Sequence, residues 1–292
     1  MEQRASVSNL RPRLAAAWFL VVLLLAGCGP AFTYRHLDRV IPWYVDGYVD
    51  LTRDQREILR GQLEPLLQWH REEELANYVA ILDRIERDLA GPVTEDEVQG
   101  WIDEVVEAAR RTEANMLGLA LDFGATLSAE QMAEFRASLW ERQREYEEEF
   151  LGRSDEQYRE DSYDALADLL ERFTGRLQPP QKNRLRAAAA ELQRFDGAWL
   201  EDRSDWLREL EPLLQRGPGW QRAVQAAYEA RRQRRAGRYA EILQHNLGVI
   251  RPAVADVLNT LTPAQGERMA NEFADLRERL SKLGAVSRVA AG

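Results

Sequence analysis

The chain has 292 residues, 49 Asp and Glu against 39 Lys and Arg, a formal net charge of −10, and one cysteine. An acidic balance of this size argues against a nucleic-acid partner, and a lone cysteine excludes an intramolecular disulfide. The length suffices for one large core or two smaller ones.

Arg4, Arg11 and Arg13 precede Leu14 to Leu25, a run without a charge. At about 1.5 Å per residue such a run falls short of the ~30 Å hydrocarbon core, so it suits the apolar region of a signal peptide rather than a membrane span. Gly29 and Pro30 follow and break any helix. Pro30 to Arg39 reads as a tether. Val40 to Leu51 is dense in Trp43, Tyr44 and Tyr48, which are expected to plug one end of a helical core. The alternative place for them is a lipid interface, where an apolar ring with a polar tip is favoured, but Asp46 and Asp50 count against it.

From Leu51 the pattern is helical. Thr52 and Gln55 form a capping box: the hydroxyl takes a free N–H and the amide reaches back. Leu59, Leu63, Leu67, Leu75, Tyr78, Val79, Leu82, Ile85 and Leu89 then recur on one helical face. Pro65 should kink or split this helix, and Gly91-Pro92 should end it. Thr94 and Glu97 open a second helix, with Val98, Trp101, Ile102 and Val105 inward, running towards Gly124. Ser128 and Gln131 open a third, with Phe135, Leu139, Tyr146 and Phe150 inward. An interruption from Gly152 to Asp155 precedes its continuation to Phe173. Pro180 begins a helix carrying Leu185, Leu192, Phe195, Trp199, Trp206, Leu210 and Leu213. After Gly217-Pro218-Gly219 a long helix is expected from Trp220 to Leu247 or beyond. Thr262 and Gln265 start the last one, which should end near Leu283-Gly284. Nowhere do β-branched and polar residues alternate over five positions, so the fold class is all-α. The expected architecture is an elongated bundle of about six to eight antiparallel helices, with a break into halves near Gly175 to Pro180 as the alternative.

Chemistry-bearing residues are sparse. The histidines are His36, His70 and His245, none with a second histidine at metal-ligand spacing. His70, between Trp69 and Arg71, reads as a packed residue. Glu72-Glu73-Glu74 and Glu147-Glu148-Glu149 point in successive directions around a helix and read as solvated faces. No nucleophile elbow, phosphate loop or dinucleotide fingerprint occurs. No catalytic residue, metal ligand or small-molecule cofactor is therefore assigned. Arg231, Arg234, Arg235 and Arg238 share one helical face. The plain reading is pairing with acidic helices such as Glu145 to Glu149, and the functional reading is an anionic partner such as phospholipid or lipopolysaccharide phosphate.

Leu25-Ala26-Gly27-Cys28 resembles the lipobox of bacterial lipoproteins at all four positions. The resemblance implies cleavage before Cys28, a diacylglycerol on its sulfur and an acyl chain on its new amino group. Two or three long chains hold essentially permanently, where one myristoyl chain is marginal. Gly29 after the cysteine, rather than Asp, favours the outer membrane by resemblance to Gram-negative sorting. Removing a leader with three arginines and one glutamate, a net +2, takes the formal charge from −10 to −12.

Leu51-Thr52-x-x-Gln55, Leu127-Ser128-x-x-Gln131, Leu177-Gln178-x-x-Gln181 and Leu261-Thr262-x-x-Gln265 repeat one phrase at irregular spacing. A leucine, a cap and a capping-box glutamine are what a good helix start needs. The same Leu-Thr-x-x-Gln phrase resembles the Spy and CpxP type of periplasmic helical chaperones and stress modulators. Trp43 to Thr52, followed by Leu63 to Arg71, looks like a family of all-helical envelope lipoproteins of unknown function.

The expected organisation is a signal peptide over 1–27, a lipidated N-terminus and aromatic tether over 28–50, a helical domain over 51–284 and a tail over 285–292. The expected function is a non-enzymatic, periplasm-facing envelope lipoprotein, held in the membrane through Cys28. It would meet an envelope protein partner as scaffold, chaperone-like binder or assembly accessory. A lipid or lipopolysaccharide carrier and a hydrolase of envelope substrates are the alternatives.

Overall fold

The computed structural model describes residues 34–233 and 237–290, with side chains as far as Gly284. The fold is an elongated all-α bundle with no strand among the described residues. In order come α1 (Leu37–Asp46), α2 (Arg53–Trp69), a π turn (His70–Glu74), α3 (Leu75–Asp88), α4 (Glu95–Gly124) and α5 (Ala129–Leu151). Then follow α6 (Asp155–Thr174), α7 (Pro179–Glu191), α8 (Asp196–Leu213), α9 (Trp220–Gln233), α10 (Arg238–Asn259) and α11 (Pro263–Ala290). Since α2, the π turn and α3 form one continuous rod, there are ten rods among the described residues, slightly more than the six to eight expected.

Packing partners are mostly distant in sequence. α11 lies along α3 and α6, α10 along α7 and α4, and α5 along α8. The main apolar core runs from Tyr34 and Leu37 through Leu59, Leu63, Leu75 and Phe123 to Phe273, Leu280 and Leu283. It therefore spans both sides of the possible break at Gly175 to Pro180.

Several local expectations change. Residues read as tether enter the core: Tyr34, Leu37 and Val49 are buried. Trp43 and Tyr44, expected inside, are 74% and 54% exposed. The inward stripe of α1 is already occupied by Leu37, Ile41 and Val45, one turn apart, and Trp43 falls on the opposite side. Of the three aromatics only Tyr48 turns inward, against Phe135. Pro65 does not split its helix; the irregularity is the π turn five residues on. The helix expected from Pro180 to Leu213 breaks at 192–195, and α10 starts afresh after Gly237, whose φ of 126° suits glycine alone. α11 runs past Gly284 to Ala290, where a tail was expected.

The break at 192–195 has a tertiary cause. Buried Asn246 of α10 accepts from the Gln193 N–H at 2.8 Å and donates to the Gln193 carbonyl at 2.8 Å. Asn259 clasps Val93 in the same way, at 2.7 and 2.8 Å, before α4 begins. In each case a side-chain amide satisfies the backbone groups that leaving a helix exposes.

The four similar helix starts join in pairs. Gln55 of α2 and Gln131 of α5 donate Nε2–H to each other's Oε1, both at 2.8 Å. Gln181 of α7 and Gln265 of α11 do the same at 3.2 and 3.1 Å. Each Nε2 also donates to the carbonyl two residues before the partner's cap: Gln55 to Thr126, Gln131 to Asp50, Gln181 to Thr260 and Gln265 to Arg176. Each Oε1 also accepts the backbone N–H of its own cap residue. Every hydrogen-bonding position of the four amides is thus used. The starts remain good caps, and they are also locks between helices.

Gln181 and Gln265 are 3% and 5% exposed, whereas Gln55 and Gln131 are half-buried. Truncating one buried partner strands the other's donor and acceptor. Gln181→Ala should cost about 2–3 kcal/mol and Gln55→Ala about 1 kcal/mol. In urea denaturation the Gln181→Ala/Gln265→Ala double variant should lose less than the sum of the singles; strict additivity would refute the coupling.

Candidate functional site

The π turn carries two of the most deeply buried polar side chains among the described residues. The Leu75 N–H bonds the His70 carbonyl, the i→i+5 pattern that widens the helix, and the turn brings both His70 and Glu74 inward. They are 2% and 1% exposed. Glu72 and Glu73 remain on the solvated face expected for the acidic run, but Glu74 does not. Its carboxylate receives two bonds from the Arg111 guanidinium of α4, at 2.6 and 3.1 Å, and one from Asn77 at 3.3 Å. The fork-on-carboxylate geometry compensates the cost of removing the charge from water.

His70 is held between two phenols. Its Nδ1 lies 2.8 Å from Tyr34 Oη and its Nε2 3.2 Å from Tyr78 Oη. Thr112 Oγ1 donates to the Ala108 carbonyl and faces Tyr78. One assignment of protons serves every group: Tyr34 donates to Nδ1, Nε2–H donates to Tyr78, Tyr78 donates to Thr112, and Thr112 donates to Ala108. Burial, with Arg71 nearby, lowers the His70 pKa to about 4, and burial pushes the Tyr78 hydroxyl up to about 12. The Tyr34 hydroxyl moves up for the same reason. Tyr34, His70, Glu74 and Thr112 are buried, while Tyr78 and Arg111 reach the surface in part. His70 was legible as a packed residue. Tyr34, Glu74 and Arg111 were not, because their partners lie 36 and 37 residues away.

A second polar centre joins α5, α6 and α8. Buried Asp196 accepts from Arg153 at 2.8 Å and from Arg194 at 3.1 Å, and Arg194 also reaches the Phe150 carbonyl at 2.7 Å. Beside it opens a cleft of about 590 Å³ lined by Asp155, Tyr158, Arg159, Arg238, Glu241 and His245. Side chains of both charge signs line it. Of the basic run, Arg231 bonds the Asp202 carboxylate at 2.6 Å and stacks over Trp206. Its acid is thus Asp202 rather than Glu145 to Glu149. Arg238 lines the cleft, while Arg234 and Arg235 lie outside the described residues. Leu25, Ala26, Gly27 and Cys28 lie outside them as well. Among the described residues no three His, Cys, Asp or Glu side chains gather as metal ligands, and no helix is long and apolar enough to cross a membrane.

The closed histidine has a pH consequence. An unfolded chain protonates His70 near pH 6.5, while the folded one holds it neutral to about 4, so unfolding takes up a proton between these values. Its contribution is whole above about pH 6.5 and falls as pH drops towards 4, by at most about 3 kcal/mol. Urea melts at pH 7 and 4.5 should show a smaller stability loss for His70→Phe than for the wild type. Equal losses would refute the closed neutral state.

No curated protein and no solved structure matches the chain. A family of unknown function, DUF6279, matches residues 47–234, from just before α2 to the end of α9. That stretch is more than half of the sequence, and the chain belongs to the DUF6279 family.

Proposed function

We propose that this protein is a membrane-anchored envelope lipoprotein without catalytic activity, acting through its helical surfaces as a scaffold, chaperone-like binder or assembly accessory. The observation that carries this reading is the seal around Tyr34. It lies six positions after Cys28, and it is 3% exposed with its hydroxyl on His70. Six residues of extended chain reach at most about 20 Å. A lipid on Cys28 would therefore hold the helical body close to a bilayer, by a buried latch rather than a long leash. The same seal favours a structural use of the cluster. A general acid or base must come within hydrogen-bond reach of substrate, and His70, Glu74 and their partners are spent on one another. Asp196 is spent in the same way on Arg153 and Arg194.

The anchor is tested by growing cells on an alkyne fatty acid and weighing the N-terminal peptide. The wild type should incorporate label and begin at a diacylglyceryl-modified Cys28. Cys28→Ser should lose all label while retaining its helical circular dichroism. Label that persists in Cys28→Ser would overturn the anchor reading.

A further inference from the structure

α1 presents an outward face that the other described helices leave exposed. Trp43 at 74% exposure stands beside Tyr44 at 54%, whereas the other large exposed apolar side chains are single residues on other helices. Arg39 is exposed one turn before Trp43 on the same side of α1, and Arg35 is exposed just ahead of the helix start, so two cations stand near the indole. The opposite side cannot turn outward to replace it, because Leu37, Ile41 and Val45 are fixed in or against the main core.

Of the acidic residues near this face, Asp46 is engaged elsewhere. Asp46 takes two bonds from Arg56, at 3.1 and 2.8 Å, and accepts the Leu51 N–H at 3.1 Å. This removes one of the two charges that counted against a lipid interface. Asp50 lies beyond the helix end, its N–H on Glu134 of α5. Asp38 sits 4.0 Å from Arg39. An indole with cations beside it suits the headgroup layer, where the ring meets acyl chains and guanidinium groups meet phosphates.

We propose that this face of α1 docks on the phospholipid bilayer entered by the Cys28 lipid, with Trp43 in the headgroup layer and Arg35 and Arg39 against lipid phosphates. The proposal rests on the lipoprotein reading above. Its occupant is set by reach: α1 begins nine residues after Cys28, and the chain is already pinned at Tyr34. The helix lies within about 30 Å of the anchored cysteine along the chain. The docked helix would set how the body stands on the membrane, which a lipid tether alone does not.

The full lipidated protein, reconstituted into phosphatidylethanolamine and phosphatidylglycerol vesicles with brominated acyl chains, provides the test. Bromine near the headgroups should quench part of the tryptophan emission, and Trp43→Phe should remove at least half of that quenching. The Arg35→Glu/Arg39→Glu variant should weaken it by a similar factor while still floating with the vesicles. If Trp43→Phe floats and is quenched as strongly as the wild type, the docking is wrong and the anchor stands. If the wild type does not float at all, the anchor reading fails and the docking falls with it.

Discussion

Two pairs of glutamine amides hold this fold in register. In each pair two helix starts meet, and each amide closes its own capping box, bonds its partner amide, and takes a carbonyl from the partner's incoming loop. The pairs join α2 to α5 and α7 to α11, helices whose glutamines are 76 and 84 residues apart. A helix start is the place where backbone donors lack partners, so it is where polar side chains can be buried most cheaply. Once these ends are joined, the leucines before the caps are carried inward: Leu51, Leu127 and Leu177 are all buried. The irregular spacing of the repeated phrase then follows, since the unit is a pair of starts rather than a period along the chain.

The remaining buried polar groups follow the same rule of closed satisfaction. Asn246 and Asn259 each clasp the N–H and C=O of one residue where a helix is interrupted. Glu74 is matched by a two-pronged arginine, and His70 by two phenols. In a chain with one cysteine, these contacts supply specificity that disulfides cannot. They also tie the segment nearest Cys28 into the body, since Tyr34 belongs to the His70 cluster and Leu37 to the main core. The wide π turn is the backbone feature that admits this latch. Its position between α2 and α3, against α11, places the latch where the two ends of the described chain meet.

What the amino-acid sequence determined by itself is local. The all-α class, the boxed starts at Thr52, Thr94, Ser128 and Thr262, and the interruption between Leu151 and Asp155 all depend on residues three or four apart, or on a glycine, and they appear where the sequence puts them. Only the tertiary structure decided which starts meet, why the chain leaves the helix at Gln193, and which of three neighbouring glutamates is buried. It also turned Trp43 outward, because Leu37, Ile41 and Val45 compete for the same core and form the continuous stripe. The physical reason is common to all of these. A cap or an apolar period is settled within one or two turns of helix, whereas a clasp or an amide pair needs residues tens of positions apart, and nothing in either sequence neighbourhood names the partner.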